Sequence, residues 1–536
     1  MRAPAQGVDP GLARLADAIL IPPFAGHSAP GWVLAALGGG LGGLTIYGPN
    51  VADPVQLAEL TAELSSAAAQ PLIAIDEEGG DVTRIAHLVG SRYPGNAALG
   101  VVDDVALTEA VYRALGADLA ALGINVNLAP SVDVNTAADN PVIGTRSFGS
   151  DTALVARHAA AAVTGLQAAG VAACAKHFPG HGSTRVDTHH SVATVDAPLA
   201  LLARRDLPPF AAAIAAGVRA VMPGHLRVPE LTGDLPASLS AAAMTGLLRG
   251  ELGFTGVIIS DALEMRAVSG PLGMPEAAVR AVAAGTDLLC LGRDQGRRSY
   301  LAVRDGLVVA AASGRMPPAR LEEAAARVGE LRAWAAAART AAAARIVNTA
   351  NSAGPAPAQD LTALAQGETS QTSRQPSAAG QAPRSGANGA DVGLTAARRA
   401  VSVTGVLDRP LDRPVVVEVV PPPNIAVGPV PWGLEAWVPA GSLVRLGTGM
   451  AAADLRRRVD AALAAASGGP VIVVVRDAHR HRAARGVVTR ILAARPDAVV
   501  LEMGLPAWRP PGGAYVATYG AAHTSGQAAA EVLGLA

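Results

Sequence analysis

The chain has 536 residues, half of them apolar and only 3% aromatic, with 43 basic against 44 acidic side chains. At roughly 150 residues per domain this length implies two to four domains and excludes a single small one, and the core has to be built mainly from Ala, Val and Leu. A net charge of −1 gives the whole molecule no field that would draw it to nucleic acid or to an anionic membrane surface, so neither is expected as a partner.

The first twenty residues, MRAPAQGVDPGLARLADAIL, contain no unbroken apolar stretch, because Asp9 and Asp17 interrupt it, and no secretory signal is read there. The long apolar run over 31–47 is rich in glycine and falls short of the ~20 residues of a spanning helix. The expected location is the cytoplasm. Cys174 and Cys290 lie inside apolar runs and read as buried free thiols, too few for a disulfide framework.

From residue 17 to 292, eight β-branched or Leu-rich runs recur, at 17–23, 43–48, 71–76, 124–130, 171–176, 220–223, 257–261 and 286–292. Helical segments separate them. Asp53-Pro54 opens one such helix and Ser150-Asp151 another, which Gly170 closes. Strand and helix alternating in this order imply parallel strands, and eight of them fit a (β/α)8 TIM-like barrel better than an open doubly wound sheet. A long Ala/Arg-rich helix over 318–346 ends this region, giving a catalytic barrel over 1–347. Residues 348–391 are rich in Ser, Gly, Pro, Gln and Ala, cannot offset their own ordering entropy, and read as a flexible linker.

Residues 392–536 read as a smaller C-terminal α/β sandwich domain. Strands are expected at PVVVEVV, PVIVVVR, DAVVLEM and AYVATYG, with helices at 451–467 and 480–494. Strands that are apolar throughout imply a sheet covered on both faces. Beyond Asp477, His479 and Glu502 this part has few clustered titratable residues, which suits a binding or oligomerisation module.

In a barrel of this kind the site is assembled by the loops after the strands. The unusual polar segments all fall there: DEEGGDVTR, DVNTAADNPVIGTRSF, KHFPGHGSTRVDTHH, PGHLRVP and SDALEM. Asp261, at the tip of an apolar strand, is either a helix N-cap or a nucleophile or base. Residues 176–190 hold one Lys, four His and one Asp. Zinc held by His177, His181 and His189 is one reading of that density, and a zinc-dependent amidohydrolase the corresponding activity. However, Pro179-Gly180 prevents a helix that would put His177 and His181 on one face, so no metal is assigned. The alternative pairs Asp187 with His189, the carboxylate orienting an imidazole general acid/base. Asp76, Arg84, Arg146 and Lys176 would complete a pocket suited to vicinal hydroxyls.

These motifs resemble those of glycoside hydrolase family three, in its β-N-acetylglucosaminidase branch. The resemblance rests on DEEGGDVTR, IGTRSF, KHFPGHGSTRVDTHH, VMPGH, PASLS and SDALEM and covers about residues 10–340. It implies an exo-acting, retaining enzyme without cofactor, with Asp261 as nucleophile, His189 as general acid/base and Asp187 as its partner. It further implies that Asp76, Arg84, Arg146, Lys176 and His177 hold a terminal N-acetylglucosaminyl residue of cell-wall fragments. Glu77 and Asp81 stand where many relatives have Gln and a basic residue. In a retaining double displacement Asp261 and His189 would face each other ~5–6 Å apart across the sugar. An imidazole acid leaves a neutral base after the first step, so phosphate is an alternative acceptor to water.

Overall fold

The computed structural model describes residues 9–186, 192–352, 388–407, 411–422, 424 and 426–536. In the first half all eight apolar runs become parallel strands: β1 (Leu20–Ile21), β2 (Gly43–Ile46), β3 (Leu72–Ile75), β4 (Val126–Asn127), β5 (Ala172–Phe178), β6 (Ala220–Pro223), β7 (Val257–Ile258) and β8 (Leu289–Cys290). Strands β2 to β7 pair in chain order, and β1 pairs with β8. Backbone bonds complete the ring: Leu288 N to Ile258 O at 3.0 Å and Ser260 N to Leu288 O at 2.8 Å join β7 to β8 around the Ile259–Leu288 bridge, and Thr45 N to Pro22 O at 3.3 Å joins β2 to β1. The expected barrel is thus present. Its strands are predominantly apolar because helices cover the outer face and the strands' own side chains fill the inner one, with Asn127, Lys176 and His177 as polar exceptions near strand ends.

The expected caps form as well. Asp53 accepts from Val55 N and Gln56 N at the start of the helix Pro54–Ser66, and Asp151 accepts from Leu154 N before the helix Thr152–Ala168. Both cysteines are buried and free. Asp287, just before β8, is gripped by Arg249, Arg320 and Arg327. That places a compact ionic cluster at the N-terminal end of the barrel, remote from the polar loops.

The helix closing the barrel runs Pro318–Ser352, six residues beyond the expected end, and another begins at Asn388. The linker reading otherwise falls on 353–387, outside the described residues. The helix Asn388–Ala400 packs against the barrel helices Asn96–Val102 and Val105–Ala121 and against the C-terminal helix His523–Val532. Its approach to the barrel is close: a Cβ at Gly393 would come within 2.2 Å of Arg92 O. Arg399 pairs with Asp104 on the barrel side and Arg398 with Glu531 on the other.

The second sheet contains β9 (Ser402–Thr404), β10 (Val415–Val420), β11 (Leu443–Gly447), β12 (Val471–Val475), β13 (Val499–Glu502) and β14 (Ala514–Ala517), in the order β9-β14-β13-β12-β10-β11. Only β9 is antiparallel. Both faces are covered, and alternate residues of one apolar run serve different layers. Val473 and Val475 meet the helices Ala452–Ala465 and Arg482–Ala494, whereas Ile472 and Val474 meet the helix His523–Val532. Among the described residues no helix is long and apolar enough to cross a membrane.

Candidate active site

The polar segments converge at the C-terminal ends of the barrel strands around a cavity of about 340 Å³. Asp76, Arg84, Arg146, Lys176, His177 and Asp261 all line it. Asp187 and His189 lie outside the described residues. His181, Tyr47 and Glu264, which the pocket reading did not include, line it as well.

Local chemistry explains how each group is held. Asn125, just before β4, and Asn127, at its end, bond through their amides to the backbone of the β3 strand and its flanking residues. Asn127 Oδ1 accepts from Glu77 N at 3.0 Å and its Nδ2 donates to Glu77 O at 2.7 Å. That clamp fixes where β3 ends and the DEEGG turn begins. Gly79 and Gly80 then take φ of +74° and +59°, a left-handed pair that only glycine adopts readily. A Cβ on Gly80 would lie 2.4 Å from Gly95 Cα. The turn brings Glu77 back over the following residues, where its Oε2 accepts from Thr83 Oγ1, Arg84 N and Ile85 N at 2.6–3.1 Å. Burial pushes the Glu77 carboxyl up to about 7 despite these three bonds.

Asp76 and Glu78 organise the cations. Asp76 accepts from Lys176 Nζ at 2.6 Å and from Arg84 Nη2 at 3.0 Å. Glu78, 4% exposed, accepts from Arg146 Nε and Nη2 at 2.9 and 2.7 Å, a bidentate pair, and lies 2.7 Å from Lys176 Nζ. Burial alone would raise Glu78, but Arg146 and Lys176 hold it far below the ordinary carboxylate range. The same two carboxylates keep Lys176 above its ordinary value against its own burial. Arg146 therefore spends its donors on Glu78 and on Val142 O at 3.1 Å, while the carboxylate of Asp76 and the head of Arg84 stay partly open to the cavity.

Asp133 governs the histidines. Fully buried, it accepts from His177 Nδ1 at 2.8 Å, from His181 N at 2.6 Å, from His177 N at 3.3 Å and from Ser131 Oγ at 3.0 Å. Burial opposes its ionisation, yet the His177 ring and the bonds to this segment hold its carboxyl below the ordinary value. With Nδ1–H given to Asp133, His177 Nε2 is left as an acceptor 3.4 Å from Arg146 Nη2. His181 bonds through Nδ1 to Thr184 Oγ1 at 2.6 Å, and burial followed by His177 lowers it to about 4. Among the described residues no three His, Cys, Asp or Glu side chains are grouped so as to hold a metal ion.

Asp261 stands just beyond β7, partly buried, with Oδ1 accepting from Ala262 N at 2.7 Å. His225, from the VMPGH segment, bonds to Ser238 Oγ at 2.7 Å and donates through Nε2 to Ala262 O at 3.1 Å, fixing the backbone after Asp261. Glu264 then crosses to β8, where its carboxylate accepts from Gly292 N at 2.7 Å. A side chain at Gly292 would overlap that carboxylate.

The second domain reaches this site directly. Arg84 donates to Ala426 O at 2.8 Å and Val427 O at 3.2 Å, and residues 426–430 line the cavity. Asn424 Nδ2 donates to Pro141 O and His479 Nε2 to Ala138 O, at 2.9 and 2.7 Å. Asp81 accepts from Ala521 N at 2.7 Å and pairs with Arg476 at 3.1 Å. Glu78 and Asp133 sit inside segments already read as functional, and their density of carboxylates was the available signal. The carbonyls of 426 and 427 had no signal in the sequence.

Residues 35–331 match the family described as glycosyl hydrolase family 3 N terminal domain. A beta-hexosaminidase A of Pseudoalteromonas piscicida is 39% identical over 270 residues, which are 46% of this chain and 45% of that protein. Beta-hexosaminidase LpqI of Mycobacterium tuberculosis is 38% identical over 265 residues, 48% of this chain and 67% of that one. The chain thus spans about half the length of the first relative and two thirds of the second. A solved glycoside hydrolase family 3 β-N-acetylglucosaminidase from Paenibacillus sp. str. FPU-7 superposes with a TM-score of 0.79 at 32% identity, over 97% of this chain and 96% of that one, both domains included. The strand-end constellation and these likenesses agree: this chain belongs to glycoside hydrolase family 3.

Proposed function

We propose that the protein is an exo-acting, retaining β-N-acetylglucosaminidase that removes terminal N-acetylglucosaminyl residues from cell-wall fragments. The observation that carries this reading is the cavity itself, which Asp261 lines together with Asp76, Arg84, Lys176 and His177. A hollow of about 340 Å³ with charged groups at its lining suits a single terminal sugar. The partly open Asp76 carboxylate accepts from sugar hydroxyls, and its contacts to Arg84 and Lys176 hold it in place. The printed names of the relatives support the N-acetylhexosamine.

In the proposed reaction an Asp261 oxygen attacks the anomeric carbon, the glycosidic C–O bond breaks, and His189, oriented by Asp187, gives its proton to the departing oxygen. Water then enters. His189 takes a proton from it as its oxygen bonds to the anomeric carbon, the ester to Asp261 breaks, and the sugar leaves with its starting configuration. Phosphate in place of water would release a sugar phosphate by the same steps, and a neutral imidazole repels that anion less than a carboxylate would. Proton NMR of the products from an aryl β-N-acetylglucosaminide, with and without phosphate, reports configuration and acceptor together. Asp261→Ala should lower kcat/KM by several powers of ten, and a variant keeping a tenth or more of wild-type activity removes Asp261 from the mechanism.

A further inference from the structure

Strand β12 ends in a braced turn. Glu502 Oε1 accepts from Asp477 N at 2.7 Å and its Oε2 from Ala478 N at 3.1 Å, so the residue before them, Arg476, leaves the sheet in a fixed direction. That direction is toward the barrel. Arg476 Nη2 stands 3.1 Å from Asp81 Oδ2, with the two side chains 13% and 2% exposed. Salt and solvent screen so enclosed a pair little, which separates it from the exposed ion pairs that contribute next to nothing.

Asp81 has two further partners. Its Oδ1 accepts from Ala521 N of the second domain at 2.7 Å, and its Oδ2 accepts from Thr145 Oγ1 at 2.5 Å. One carboxylate oxygen therefore meets Arg476 on one side and Thr145 on the other. Thr145 immediately precedes Arg146, inside the single turn Gly144–Arg146. The segment leading to that turn is held from the second domain as well, at Ala138 O by His479 and at Pro141 O by Asn424. On the barrel side, Asn96 Nδ2 donates to Arg146 O at 2.7 Å. A cavity of about 10 Å³ lies against Glu78, Asp81, Thr145, Arg146 and Gly520. It has room for about one water molecule, so the turn has little space to shift while Asp81 keeps its place.

We propose that Asp81 and Arg476 are positioning residues for the sugar pocket: docking of Arg476 on Asp81 fixes Thr145, and through it the angle at which Arg146 meets Glu78 and the cavity. Asp81, Thr145 and Arg476 do not line that cavity, whereas Arg146 does, so their effect on a bound sugar passes through Arg146. The second domain thereby sets how firmly the barrel grips the terminal residue. This inference rests on the glycosidase reading and adds a control on its affinity.

The test is a double-mutant cycle in the whole protein on 4-nitrophenyl β-N-acetylglucosaminide, with Arg476→Ala, Thr145→Val and the two combined. Each single change should raise KM about tenfold, the scale of one hydrogen bond to a charged group, with kcat within about threefold of wild type. The double variant should be no worse than the poorer single one, because both changes cut the same path. Arg476→Lys keeps a cation opposite Asp81 and should hold kcat/KM within about threefold of wild type. A role in folding alone gives different results: losses that multiply to about a hundredfold in the double variant, or a lowered melting temperature with KM unchanged. Either overturns the proposal, as does an Arg476→Lys variant as poor as Arg476→Ala. Should circular dichroism show Arg476→Ala unfolded, Arg476→Gln takes its place in the cycle. A wild-type protein inactive on this glycoside refutes the glycosidase reading itself, whereas an active wild type with a multiplicative cycle refutes the positioning role alone.

Discussion

Replacing Glu78 by Gln tests the electrostatic frame of the site most directly. The two side chains have the same shape, so the change removes charge and little else. In the wild-type protein Glu78 makes three contacts to cations, two from Arg146 and one from Lys176, at 2.7–2.9 Å in a buried setting. Counting Asp76, Glu78, Arg84, Arg146 and Lys176, the cluster carries two negative and three positive charges; the variant leaves one against three. Breaking a buried ion pair by removing one partner costs about 3–5 kcal/mol, because the remaining charge stays desolvated. The Glu78 carboxyl titrates far below its ordinary value of 4.5, so its stabilising contribution is fully present above pH 4.5 and is lost only as acid reaches the folded value. Urea unfolding of both proteins should therefore show a gap of about 3–5 kcal/mol that is constant from pH 5 to 8 and narrows below 4.5. Because the pair is buried, 0.5 M NaCl should change the gap little. A variant within about 1 kcal/mol of wild type, where exposed pairs fall, or a gap that salt abolishes, would refute the reasoning.

Two further outcomes follow from neighbouring carboxylates. Glu77 is the opposite case, its folded value of about 7 lying above the ordinary 4.5, so the native state loses stability as pH rises from 4.5 through 7. Glu77→Gln escapes that loss: relative to wild type it should gain up to about 3 kcal/mol between pH 4.5 and 8, and a difference independent of pH removes burial as the cause. Asp133→Ala strips the acceptor from two backbone amides, the His177 ring and the Ser131 hydroxyl. It should lower stability by about 3–5 kcal/mol and cut kcat/KM by disordering His177, with Asp133→Asn restoring part of both; calorimetry showing an unchanged melting temperature would contradict this.

The barrel was legible in the chain because its signals are local. Each strand is a short, mostly apolar run buried on both sides, several helices carry their own caps, and the functional residues follow the strands within a few positions. The same locality made the central strands of the second sheet readable. It failed at that sheet's edges: β9 and β11 are partly exposed and include polar side chains such as Ser402 and Arg445, so no apolar run announces them. Pairing over long separations was beyond it too. The sequence placed Arg146 and Lys176 near a carboxylate and named Asp76, whereas folding across 68 residues brings Arg146 to Glu78.

By itself, then, the order of residues determined the eight-strand alternation, the second α/β layer, the family motifs and the face on which the chemistry gathers, since all of these depend on hydrophobic periodicity and on what lies a few residues away. Only the tertiary structure decided which acid holds which base, that Asp133 grips His177 and His181, and that the second domain closes over Arg84 with the carbonyls of Ala426 and Val427. A backbone carbonyl has no identity in a sequence, and a buried charge is satisfied by whichever partner the fold delivers.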